Sequence, residues 1–458
     1  MRPRLLVSMV ILIFAVQPLW ASDDHQGRYT LEAHDIGQSA KLQDLIDVAR
    51  NQNTAIASAR ATWKAGLENI RIAGALPDPQ ASVTWFPAPI ETRLGPQDWN
   101  AMLSQQIPFP KKLTAKKEIA SIEVALAQLK TDEVFRKVVA DVKTAFYELI
   151  YIRKAGEIAE KNMALLNQFR EMAQSTYGQN RAVFAEVVKA QAQAGQVQYD
   201  RMLLQDLEET QVTVLNGLLN RPPQTPIGTL MAPEEGWELP RLELLFQTAR
   251  TRREVIAMAD KAIQKAQKEE KLAGYAKYPD FKLGVTWSGI GNPDVPSPPD
   301  DAGDDAFGIQ FGVTIPLWYG KNKAKQLKAL AMIQAKAAQK QEMVNQTQTR
   351  IRTLYYKVRN AIRQEELYKN DLLPQALRAL DVSETWFREG QGPFSDILES
   401  QAAVYNFQLS LARARSDKGK YMAALEPLVG AAMSELNQKD LENADPHRTG
   451  AGSKEAAQ

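Results

Sequence analysis

Two segments of nearly equal length, 112–176 and 321–386, carry apolar residues at helical spacing with no internal break. In the first, Ile119, Ile122, Leu126 and Leu129 lead on to Val138, Val142, Phe146 and Leu149; in the second the seam is Ile351, Leu354, Val358 and Ile362. At 1.5 Å per residue, each would run for roughly 100 Å as a single helix. A compact globule does not hold two such rods. They predict a long coiled-coil-like wall, alanine-rich for close packing and uninterrupted in both segments.

The rest of the chain is arranged twice around these rods. "LQDLIDVARN" from Leu42 matches "LELLFQTART" from Leu242, and "LPDPQASVTW" ending at Trp85 matches "YPDFKLGVTW" ending at Trp287. "IPFPKK" at Ile107 answers "IPLWYGK" at Ile315, and "YGQNRAVFAEVVKAQ" at Tyr177 answers "FREGQGPFSDILESQ" at Phe387. A period near two hundred residues predicts one order in both copies: helix, strand, loop, strand, very long helix, tight break, shorter helix. The breaks fall at Gly178 and at Gly390, Gly392 and Pro393. The returning helices, 183–219 and 394–425, cover only part of the rods. Helices over 42–73 and 242–271 are expected to stack on them end to end. The expected divisions are a first repeat over 22–220, a linker over 221–240 running outside the wall as non-helical structure, a second repeat over 241–430 and a polar tail over 431–458.

The strands are sharply two-faced. Phe281, Leu283, Val285 and Trp287 alternate with Lys282, Gly284, Thr286 and Ser288, and Phe307, Ile309, Phe311, Val313 and Ile315 alternate with Gly308, Gln310, Gly312 and Thr314. The first copy repeats the pattern over 80–87 and 99–107, with Pro/Gly/Asp-rich loops expected over 87–98 and 291–306. The N-terminus supplies a context. Arg2 and Arg4 precede an apolar run, Leu5–Val16, too short for the roughly 20 residues of a spanning helix, and Ala21 offers a cleavage position. Residues 1–21 therefore read as a signal peptide. The chain has no cysteine, hence no disulfide, thiolate metal site or lipid-bearing cysteine. Four strands of roughly ten residues have transmembrane length but cannot close a barrel, so identical chains would pool them, three chains giving twelve strands. Phe281, Leu283, Val285, Trp287, Phe307, Ile309, Phe311 and Val313 then face lipid. A soluble hairpin packed on helices is the alternative, as in a periplasmic coiled-coil adaptor or a secreted surface protein.

Enzyme chemistry finds no foothold. His25, His34 and His447 lie near the two ends with no ligand cluster beside them, and no catalytic triad, paired acids or phosphate loop emerges, so no catalytic residue, metal or cofactor is expected. A net charge of +2 gives no reason to expect nucleic acid.

In repeat order, strand placement and helix length, residues 42–430 resemble the outer-membrane factor family, the TolC-type exit ducts of tripartite efflux pumps. "LPDPQASVTW" with "SQQIPFPKK" looks most like the branch serving heavy-metal efflux. The resemblance implies a mostly α fold with a membrane β-barrel: a homotrimer whose twelve-stranded barrel sits in outer-membrane lipid above a periplasmic α-helical tunnel. It also implies docking to a periplasmic adaptor and an inner-membrane transporter of the RND type. The helix reversals at Gly178, Gly390, Gly392 and Pro393 are expected to form the periplasmic tips that meet the adaptor. Acidic rings in such ducts map onto Asp396 and Glu399, one helical turn apart, and onto Glu186 in the first repeat. These acids would make a cation-selective gate. Phe387 and Gly392 stand where well-known relatives have a tyrosine and an arginine, which implies a less tightly latched closed state.

Overall fold

The computed structural model describes residues 39–178, 184–231 and 239–436; the expected signal peptide, the three histidines and the tail beyond Gln438 lie outside them. The first half runs through β1 (Ser39–Lys41), α1 (Leu42–Gln52), α2 (Thr54–Gly74), β2 (Gln80–Thr92), β3 (Gly95–Ile107), α3 (Pro110–Gly178) and α4 (Phe184–Leu218). The second half runs through β4 (Thr229–Met231), α5 (Leu242–Arg252), α6 (Glu254–Gly274), β5 (Asp280–Ile290), β6 (Ala306–Thr314), α7 (Tyr319–Leu367), α8 (Leu373–Arg388) and α9 (Phe394–Val429). Helix pair, strand pair, long helix and return helix thus recur in the same order, and α3 is the expected unbroken rod at 69 residues.

Three expectations are corrected. The second rod is interrupted: α7 passes into α8 through a wider turn at Tyr368–Leu372, where the Leu373 N–H donates to the Tyr368 carbonyl five residues back. Pro374, just beyond, has no N–H to continue the ordinary ladder, and the extra residue in the turn accommodates it. The helices expected over 42–73 and 242–271 each break in two, at Asn53 and at Arg253, both extended. Asn53 caps α2, its side-chain oxygen accepting from the Ala55 and Ile56 N–H groups. Arg253 makes no such cap and instead donates to the Thr347 hydroxyl. The loop expected over 87–98 is strand up to a tight turn at 93–94, with pairing lapsing only between Trp85 and Ile90, where Pro87 and Pro89 have no N–H to give. Among its described residues the linker is non-helical, and part of it is built into the fold: β4 pairs in parallel with β1, Ile227 is buried, and the Arg153 guanidinium donates to the Ile227 and Gly228 carbonyls.

The expected end-to-end stacking is present in both halves. Asn53 Nδ2 donates 2.8 Å to the Leu218 carbonyl, joining the end of α4 to the start of α2. Gly430, left-handed at φ 78°, ends α9 against Arg252 and Arg253, so close that an added Cβ would lie 2.5 Å from the Arg252 carbonyl oxygen. Each junction sits beside its own apolar core. Leu45, Ile56, Val142, Phe146, Leu149, Leu215 and Leu219 form one, and Leu245, Ile351, Val358, Met422, Leu425 and Val429 form its counterpart.

A buried ion pair joins the two halves. Lys143 Nζ of α3 lies 2.8 and 2.7 Å from the two carboxylate oxygens of Glu426 on α9, and the Met433 N–H donates to the same carboxylate. One turn along α3, burial and that carboxylate push the Tyr147 phenol up to about 12. The Tyr147 ring packs on Gly419, where a Cβ would meet it at 2.6 Å. Lys143→Met would leave Glu426 charged and unmatched in the interior, so unfolding in denaturant should show a loss of about 3 to 5 kcal/mol. Lys143→Met with Glu426→Gln should recover at least half of it; equal losses in both variants would show that the pair does not couple the halves.

Candidate membrane face and helix-reversal end

The four long strands form one antiparallel sheet in the order β2-β3-β5-β6. Its register places every expected lipid-facing residue on one side. Phe281 pairs with Val313, Leu283 with Phe311, Val285 with Ile309, and Trp287 with Phe307. The same face continues across β3 and β2 through Ile107, Leu103, Ala101, Ala81 and Val83. The large apolar side chains stand on this face at high exposure, from 36% at Ile107 to 75% at Ile309, while Ala101 is half-buried and Phe281 is half-buried against Phe311. The expected residue list stopped at β5 and β6; the equivalent positions of β2 and β3 belong to the same surface, and their period-two pattern carried the signal. Gln105 is an exception, a polar residue on the apolar side, opposite Leu283, whose amide donates to the Pro77 carbonyl.

The other face is polar apart from Met102, which lies between Ser82 and Thr286. Gln97 and Asn100 donate to the Ser288 hydroxyl, and Lys282, Gln310 and Thr286 lie on this side. Among the described residues no strand pairs with the outer edge of β2 or of β6. At the turn end, the 291–305 loop is irregular as expected and folds over the first hairpin, the Gly303 N–H donating to the Leu94 carbonyl.

At the far end of α3, which is about 100 Å of helix away at 1.5 Å per residue, the chain reverses. Gly178 is the last residue of α3, and the segment that follows it lies outside the described residues. The second reversal is fully described. Gly390, left-handed at φ 74°, donates to the Phe387 carbonyl and Gln391 to the Trp386 carbonyl, closing α8 before α9 starts after an extended Pro393. Gly392 lies against Trp386, and Phe387 meets Phe394 edge-on with centroids 5.3 Å apart.

Glu186 and Asp396 occupy the first turns of α4 and α9, and Glu399 follows Asp396 by one turn. Beside them Val187, Ala190, Phe394, Ile397 and Leu398 share one core with Phe169 and Ala173, so the helix starts that carry the acids are brought to the same end of the molecule. Asp396 is half-buried and Glu399 exposed, and no described cation pairs with either, or with Glu186. Among the described residues there is no group of acids and histidines able to hold a metal ion, and no helix long and apolar enough to cross a membrane.

The family model described as "Outer membrane efflux protein" matches residues 245–431. This stretch contains β5, β6, α7, α8 and α9, so the described reversal and the β5–β6 half of the apolar sheet face lie within the family match. The pyoverdine export outer membrane protein OpmQ of Pseudomonas aeruginosa is 23% identical over 327 residues, which are 66% of this chain and 65% of that relative's length. Solved structures of the same fold include VceC of Vibrio cholerae, with a TM-score of 0.68 and 20% identity over 86% of this chain and 96% of that one. The open state of the MtrE outer membrane channel of Neisseria gonorrhoeae superposes with a TM-score of 0.65 at 17% identity, covering 86% of this chain and 89% of that one. CusC gives 0.66 at 15% identity, covering 85% and 92%.

A charge placed on the two faces should act unequally. Val285→Arg puts a cation on the apolar face at a cost of about 2 to 4 kcal/mol if that face meets the bilayer midplane, whereas Thr286→Arg meets water. Membrane fractionation should show Val285→Arg failing to insert and Thr286→Arg inserting; equal insertion would contradict a lipid-facing role for this side of the sheet.

Proposed function

We propose that the chain is one third of a passive exit duct in the outer membrane, closing a twelve-stranded barrel with two further copies and extending its helices into the periplasm as a tunnel. The observation that carries this reading is the sheet: four transmembrane-length strands with one continuous apolar face and two edges that no described strand pairs, set on rods too long for a globule. In lipid those edges would leave backbone groups unsatisfied at several kcal/mol each, a cost removed when β6 of one copy pairs with β2 of the next. A second copy is also the natural cover for the exposed side of α4, where Tyr199, Met202, Leu203, Leu207 and Val214 stand out at helical spacing. A soluble adaptor would leave the apolar sheet face in water.

The duct is a conduit, and its cargo arrives from partners. A periplasmic adaptor would dock at the reversals around Gly178 and Gly390–Pro393, and an inner-membrane RND-type transporter would supply the drive. OpmQ is a pyoverdine exporter, which favours an efflux role for this chain as well. The heavy-metal branch rests on residues 76–112, outside the family match over 245–431.

Threefold repetition of Asp396, Glu399 and Glu186 would ring the tunnel mouth with carboxylates and concentrate cations there. In planar bilayers the purified trimer should conduct and prefer cations, and Asp396→Ala with Glu399→Ala should reduce that preference and the block by trivalent metal complexes. Unchanged selectivity would leave the acids as partners of the α9 dipole, worth about 0.3 to 1 kcal/mol each. A trimer that forms no pore would overturn the duct itself.

A further inference from the structure

Beneath the sheet, where α3, α6 and α7 meet the strands, a hollow of about 550 Å³ is lined by Lys112, Lys116, Lys325 and Lys328 together with Glu269 and Asp280. Its strand residues Asp280 and Thr314 pair with each other and continue the face of Lys282, Gln310 and Thr286. Phe281, Val313 and Ile315, on the apolar side, take no part in the lining. The hollow therefore opens on the polar side of the sheet, the side that would bound the lumen.

Positive charge in it is in excess. Lys112 is engaged by Asp280 at 2.8 Å, and Glu269 lies 3.7 Å from Lys265. Lys116, Lys325 and Lys328 are exposed and have no carboxylate within ion-pair distance among the described residues. The sequence around them offers none: residues 99–117 contain four lysines and no acid, and residues 306–341 contain six lysines and no acid. Neither α3 nor α7 has an acid in its first turn, unlike α4 and α9 with Glu186 and Asp396. Lysines thus gather where α3 and α7 leave the strands, and acids stand in the first turns of α4 and α9 at the reversals.

We propose that Lys116, Lys325 and Lys328 form an anion-binding collar inside the duct, at the junction of strands and helices, for solutes that bear clustered carboxylates or phosphates. The proposal rests on the duct reading and adds a class of cargo to it. Three ammonium groups per copy, multiplied by the threefold axis, would surround a solute leaving the helical tunnel for the barrel. Low-dielectric walls on either side would focus their field. Because the hollow opens away from the apolar face, a solute in transit reaches it and a lipid headgroup does not.

The test is block by tripolyphosphate, added from the barrel side to trimers in planar bilayers of zwitterionic lipid. Wild-type current should be blocked at 0.1 M salt and freed at 1 M, as the screening length falls from about 10 Å to about 3 Å. The variant Lys116→Gln/Lys325→Gln/Lys328→Gln should need at least about 10-fold more tripolyphosphate for the same block, while the corresponding triple substitution to Arg should keep it. Equal block in the Gln variant, block that persists unchanged at 1 M salt, or loss of block in the Arg variant would each overturn the collar while leaving the duct in place. Absence of any wild-type conductance would overturn both.

Discussion

Backbone hydrogen bonding in hydrocarbon admits few solutions, because every N–H and C=O there needs a partner and water is not available to provide one. The described sheet satisfies this requirement along β3 and β5 and leaves it open along the outer edges of β2 and β6. Much else follows from closing those edges with identical chains. A closed ring of copies repeats each face around one axis, so the apolar side becomes an outer belt and the polar side a lumen. It also stacks the long helices into a common wall, and it multiplies any charge near the axis by the number of copies. The lysines at the strand end of α3 and the acids at the start of α9 are minor features of one chain, but around a closed ring each becomes a band.

The helical body must hold the sheet and the reversals in register across about 100 Å of α3. Three cores along the helices do this, and polar contacts between α3 and α9 fix how they lie against each other. The Lys143–Glu426 pair is one; the carboxylate of Glu148, accepting from both Arg413 and Lys420, is another. Burial would push Glu148 up, but those two cations outweigh it and hold the carboxyl below its usual range. Farther along, Gln401 donates to the buried Asn162 close to the reversal end. Each contact joins residues from different copies of the repeat, so the two halves pack as one body.

Period-two alternation in the strands was legible because each side chain reports its own face, and the register then placed all eight expected residues together. The long rods were legible for the same reason at a different period. Part of what sequence reasoning missed has one cause: the deciding partner lies far away in the chain. Asn53 reads as an ordinary helical residue until Leu218 meets its amide, and Lys143 reads as a surface lysine until Glu426, 283 residues on, lies opposite. The wide turn before Pro374 was hidden because apolar spacing continues across it. The proline-bearing part of the first hairpin read as loop although only its middle is unpaired. The lysines of the collar are plain in the sequence, but only the strand faces beside them give them a direction.

Closure by three copies is the central claim, and the chain's lack of cysteine provides a background-free way to test it. Single cysteines placed pairwise along the outer edges, such as at Val83 on β2 and Ile309 on β6, can be oxidised in the membrane and resolved by denaturing electrophoresis, with positions scanned along each strand to find the register. A covalent ladder that ends at three chains, formed by neighbouring positions on opposite edges, is the predicted result. A ladder that stops at two chains, runs past three, or never forms at any register would contradict the account.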